Sequence, residues 1–157
     1  MVNDGSITSQ IEQYIAGVLA ALQHSGADAF RTAAVWTGQV SAEKAGTESF
    51  ARHAPFAFVG YLPDYAGREG DGDLRRVLEF AVMIGQVSQA DGVARCGDAD
   101  SLGTNMLEQL AISALDRTHP GGGLLCDNIR YMGTTKVVDA AKISAVQLNL
   151  NVNLITD

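Results

Sequence analysis

From Val146 to Leu154 the chain alternates without a break. Val146, Leu148, Leu150, Val152 and Leu154 are apolar, and Gln147, Asn149, Asn151 and Asn153 lie between them. A strict two-residue period marks a strand buried on one face, because successive side chains of an extended chain point to opposite sides. Nine residues at ~3.3 Å each span about 30 Å, which is long for a strand. Full burial of each apolar side chain contributes roughly 1.5–3 kcal/mol. Their sum, about 7–15 kcal/mol, rivals the net stability of a whole domain. A slip of one residue would expose all of them, so the register is tightly held.

The other half of the alternation raises the functional question, because it holds carboxamides and no Lys, Glu or Thr. A carboxamide is neutral and carries both donors and acceptors. It can be buried against another subunit if paired, without the larger penalty of a buried charge. It can also line a lumen without gripping phosphate. Gln147, Asn149, Asn151 and Asn153 are therefore candidate subunit-interface or lumen residues. The competing reading is a hydrated sheet face.

The remaining elements follow from periodicity and turn chemistry. Ile7, Ile11, Ile15, Val18, Leu19 and Leu22 form one helical stripe over residues 6–23. Ser9 with Glu12 fits a capping box, and Ser6 is an equally good cap. A first strand is expected around Ala33–Val40 and a short helix from Thr47 to His53. Residues 54–62, "APFAFVGYL", and 75–88, "RRVLEFAVMIGQVS", read as the two arms of an antiparallel hairpin. Between them, "PDYAGREGDGD" has turn chemistry and makes an acidic tip. Asp64, Arg68, Glu69, Asp71 and Asp73 in it are candidate partner-facing residues. After a second acidic loop at 89–103, a helix runs from about Leu102 to Thr118 and "HPGGG" stops it. Residues 128–134 and the alternating tail suggest a last hairpin, with "KVVDAAK" as its connection or as a continuation of its first strand. Loop-like links between consecutive strands favour an α+β class with a mostly antiparallel sheet over a doubly wound one. The length of 157 residues fits one domain, 1–157.

Composition excludes several functions. The net charge of −7 argues against binding nucleic acid by phosphate neutralisation, since only Arg75 and Arg76 stand adjacent. No apolar run reaches the ~18–20 residues of a membrane span. The N-terminus has no signal-peptide pattern, so Cys96 and Cys126 are read as reduced thiols. His24, His53 and His119 stand alone, with no metal-ligand spacing. Neither a GxSxG nor a Walker loop occurs, and Gly121–Gly123 lacks the strand–helix context of a phosphate cradle. Trp36, the single tryptophan, is read as core or subunit interface. Of the acidic clusters, neither Asp64/Glu69/Asp71/Asp73 nor Asp91/Asp98/Asp100 matches an EF-hand. No catalytic residue, cofactor or metal is expected.

The order and spacing of these elements resemble the Mu-like phage tail-terminator family, whose fold is related to that of the lambda-type terminators. The resemblance spans roughly residues 7–155. It is carried by the helix "ITSQIEQYIAGVLAAL", the strands "HAPFAFVGYL" and "RRVLEFAVMIGQV", the helix "NMLEQLAISALDRTHPGGG" and the closing strand "AVQLNLNVNLI". The segments 41–53 and 63–73 look particular to this chain. The resemblance implies a sheet curled into a half barrel with both helices packed on it. It implies a structural virion protein, assembled in the host cytoplasm, forming a ring of six at the head-proximal end of the tail tube. Such a ring stops tube polymerisation and docks the neck. Its partners would be its own copies, the tube protein, the neck or connector protein and, where the tail has one, the sheath, with DNA passing through unread. The family has no catalytic motif, so no site residue is carried across. The alternatives are a neck adaptor or tail-completion protein, a small metal-dependent hydrolase using the acidic loops, and a generic ligand-binding α+β domain.

Overall fold

The alternating tail lies inside the sheet, not at its edge. In the computed structural model, which describes residues 4–39, 50–62, 67–68 and 76–155, it forms strand β8, Ile143–Leu154. Before it in the chain come α1 (Asp4–Ala20), β1 (Gln23–His24), β2 (Ala27–Asp28), β3 (Thr32–Val35), β4 (Phe56–Tyr61), β5 (Gly67–Arg68), β6 (Arg76–Val87), α2 (Val93–Cys96), α3 (Thr104–Leu115) and β7 (Arg130–Asp139). The main sheet has the order β3-β4-β6-β8-β7, with β5 paired to the start of β6. β4, β6, β8 and β7 are antiparallel neighbours. The fold is α+β. The sheet curls without closing, and β3 and β7 are its two ends, as a half barrel requires.

Register explains where the core sits. Leu78, Phe80, Val82 and Ile84 of β6 stand opposite Val152, Leu150, Leu148 and Val146 of β8. Residues directly opposite share a face, so these eight make one apolar surface. Ile11, Ile15 and Leu19 of α1 and Leu107, Ala111 and Leu115 of α3 close over it, all essentially inaccessible. Their spacing of four residues places each trio on one helical face. Glu12 joins α1 to the sheet differently from the expected cap. Ser9 and Glu12 both lie inside α1, and Glu12 Oε2 accepts the Tyr61 N–H at 2.9 Å. Gln86 Nε2 donates to the Leu102 carbonyl at 2.9 Å and holds the 97–103 loop against the sheet.

Among the described residues, the opposite face of the sheet, its open face, is covered only at one end. There Phe50, Ala54, Phe56, Phe58, Ile143 and Ala145 form a second, smaller cluster. Phe56 and Phe58 stack against one another at 5.1 Å, and Phe50 meets Phe56 edge-on at 5.1 Å.

Several elements differ from expectation. The first strand spans only Thr32–Val35, because Gln39 folds back: its Nε2 donates to the Val35 carbonyl and its Oε1 accepts the Thr37 N–H. That strand runs parallel to β4, the one parallel pairing among the described strands. A tiny hairpin, β1–β2, follows α1; Ser25 and Gly26 turn it with φ of 53° and 81°, the left-handed pair a two-residue hairpin loop needs. The 89–103 loop contains the single turn α2. "KVVD" continues β7, so Ala140–Lys142 is the turn. Of the short helix expected from Thr47 to His53, residues 47–49 lie outside the described residues; Phe50 and Ala51 are helical, and Ala54 N–H donates back to the Phe50 carbonyl at 2.8 Å.

Candidate assembly face

Strand alternation puts Gln147, Asn149, Asn151 and Asn153 on the face turned away from the helices, and all four are half-buried. The register supplies their neighbours. Gln147 lies between Met83 of β6 and Thr135 of β7; Asn149 lies between Ala81 and Gly133; Asn151 lies between Glu79 and Arg130; Asn153 stands opposite Val77. Alongside Asn153 the backbone of Asp127 donates to its carbonyl, and Ile155 N–H donates to the Leu125 carbonyl. The face is therefore four strands wide around β8, with Gly60 of β4 beside Ala81.

The amide row divides into two halves. Gln147 Nε2 donates to Asn149 Oδ1 at 3.0 Å, and Asn149 Nδ2 reaches the Gly133 carbonyl and Thr135 Oγ1, each at 3.4 Å. This half knits β8 to β7. Asn151 and Asn153 make no side-chain hydrogen bond within the described residues, and Glu79 and Arg130 make no ion pair. Glu79 and Arg130 are two strands apart, about 10 Å, too far to pair across Asn151. This second half offers a carboxylate, two carboxamides and a guanidinium with open hydrogen-bonding capacity.

Exposed apolar side chains border the same face. Trp36 is 49 % exposed, Met132 57 %, Leu125 66 % and Ile155 48 %. Trp36 Cβ lies 4.0 Å from the position a Gly60 Cβ would take, so the indole rises on the open side. Met132 occupies the bulge where β7 shifts register against β8, and such a bulge turns its extra residue to the side of the opposed one, Asn149. Ile155 follows Asn153 in the alternation. This exposure removes Trp36 from the core, one of the two places expected for it. Glu79 and Arg130 were missed by reading the tail alone. Alternation in β6 was the available signal for Glu79, the one acidic residue in that strand.

The other candidates lie elsewhere. Asp64, Glu69, Asp71 and Asp73 fall outside the described residues; Arg68 is in β5, its backbone paired with Arg76. In the second acidic loop, Asp98 Oδ1 accepts the N–H groups of Asp100 and Ser101, both at 2.9 Å, and the Ser101 hydroxyl. Those backbone donors hold its carboxyl below the ordinary carboxylate range. This carboxylate organises its own loop. Among the described residues no group of three His, Cys, Asp or Glu side chains is placed to hold a metal. His53 packs edge-on against Phe58, and His119 accepts the Gly121 N–H on Nδ1 while Nε2 faces the Cys126 carbonyl at 3.1 Å. Cys96 is exposed; Cys126 is buried, and burial pushes its thiol pKa up. No helix of the described residues is long and apolar enough to cross a membrane.

No family model matches the chain, and no curated protein matches it either.

Proposed function

We propose that this chain is a structural, self-assembling protein of a tailed-phage particle, a tail terminator that caps the head-proximal end of the tail tube and docks the neck. The observation that carries the reading is the amide-lined sheet face. Helices close one side of the sheet, while the other presents Asn151 and Asn153 half-buried, uncharged and without a side-chain hydrogen bond among the described residues. Neutral donors and acceptors suit a surface that meets other subunits or borders a DNA channel, since they neither repel nor trap phosphate. The order of helix, hairpin, helix and closing hairpin agrees with the family resemblance noted above. Copies of the chain, the tube protein and a neck protein are the proposed partners, and the virion is the proposed location.

Electron microscopy of particles assembled without this protein tests the reading. Tails of uncontrolled length, or tails unable to join heads, are expected. Normal particles, or density for the protein one ring further up the neck, would overturn the terminator assignment. The latter result would favour a neck adaptor.

A further inference from the structure

We propose that the open face docks a second copy of this chain across a two-fold axis running parallel to β8. The argument starts from charge order. Across the strands the face reads Glu79, Asn151, Arg130, that is, negative, neutral, positive. Rotation by 180° about an axis above β8 and parallel to it reverses that order and keeps each position along the strand. Glu79 then meets Arg130 of the second copy, and Arg130 meets its Glu79. Asn151 and Asn153 each meet their own counterparts, and a carboxamide is complementary to itself because it both donates and accepts. The alternative two-fold axis, across the strands at the level of Asn151, sets Arg130 on Arg130 and Glu79 on Glu79 and is repulsive.

The apolar residues fit the same occupant. Of the large apolar side chains exposed among the described residues, Trp36, Leu125, Met132 and Ile155 border this face, and Met106, on α3, does not. Under the parallel axis Ile155 packs on its counterpart, where an isologous contact places identical residues together. From Gln147 to Ile155 the strand advances about 26 Å, and β4 to β7 spans about 15–20 Å. The face therefore offers roughly 400–500 Å² per copy, near the low end for specific contacts, so the pair is reversible and weak. A two-fold contact closes on itself and makes pairs; a ring needs a second surface. The inference rests on reading this face as an assembly surface, and not on the tail assignment.

Sedimentation of the purified full-length chain from about 10 µM to about 1 mM tests it. Mass should rise toward twice that of one chain. Glu79→Arg and Arg130→Glu should each weaken pairing roughly tenfold, because each creates two like-charge contacts per pair. Together they should restore the wild-type constant to within about threefold. If either reversal disturbs folding, as judged by circular dichroism, Asn151→Asp applies the same test at the axis and should also weaken pairing. A chain that stays single at about 1 mM, reversals without effect, or a double variant no better than the singles would each overturn the contact. Particles that lose tail-length control without the protein, while the pure chain stays single, would keep the tail reading and remove only this one.

Discussion

Gly85 faces Phe56 across the β4–β6 pairing, and replacing it with alanine tests the packing of the covered end of the open face. A Cβ at Gly85 would lie 2.2 Å from Phe56 Cζ, 2.5 Å from Cε2 and 2.9 Å from Cε1. The ring has no free space to move into, since it is fully buried between Phe50 and Phe58. Overpacking of this kind costs about 1–3 kcal/mol. Alanine recovers about 0.5–1 kcal/mol of the entropy that a strand glycine loses. The expected net is about 1–2 kcal/mol of destabilisation, which lowers Tm by roughly 2–8 °C in a chain of this size. Gly60→Ala is the control on the same face, because its nearest atom is 4.0 Å away; it should be neutral or slightly stabilising. In a Phe56→Ala background, which itself costs about 3–5 kcal/mol, Gly85→Ala should lose its penalty. Urea unfolding followed by circular dichroism measures all four variants. A Gly85→Ala protein as stable as wild type, or a penalty that persists without the ring, would refute the reasoning.

Thr104→Val should cost about 1–3 kcal/mol in the same assay, since the Ser144 hydroxyl, 2 % exposed, would lose its partner at 2.6 Å. Asn149→Ala should be destabilising by up to about 1 kcal/mol, while Asn151→Ala should stay within about 0.5 kcal/mol, because of these two only the Asn149 side chain makes a hydrogen bond among the described residues. Native protein treated with iodoacetamide should be alkylated quickly at Cys96 alone, with Cys126 modified only on unfolding; mass spectrometry of the two peptides decides it. The Asp98 carboxyl should titrate below the ordinary carboxylate value by NMR. A depressed folded pKa means that its hydrogen bonds stabilise the loop above the unfolded value and are lost as pH falls through the folded one. Amide signals of Asp100 and Ser101 should therefore shift only in that acidic window.

The long elements were legible because their signals are local and repeated. Nine alternating residues in β8 and the Ile11/Ile15/Leu19 stripe each state their own geometry. Element ends were less legible. Gln39 ended β3 by a side-chain bond to the Val35 carbonyl, and nothing in "WTGQ" distinguishes that from a continuing strand. Glu12 fitted a capping pattern and was used for a tertiary bond to Tyr61. The site was half legible: the amides could be placed on one face from the sequence, but their splitting into an internally bonded half and an open half depends on Gly133 and Thr135, contributed by another strand.

Alone, then, the sequence determined that a closing strand buries every second residue and leaves a row of carboxamides on its other side, because a two-residue period follows from backbone geometry. It also determined an α+β pattern from the change of period along the chain. Only the tertiary structure decided that β3 lies parallel to β4, that Phe50 and its neighbours shelter one end of the open face, and that Glu79 and Arg130 flank Asn151. Those facts arise from pairing between segments tens of residues apart, and cross-strand register is a property of the assembled sheet that no single segment carries.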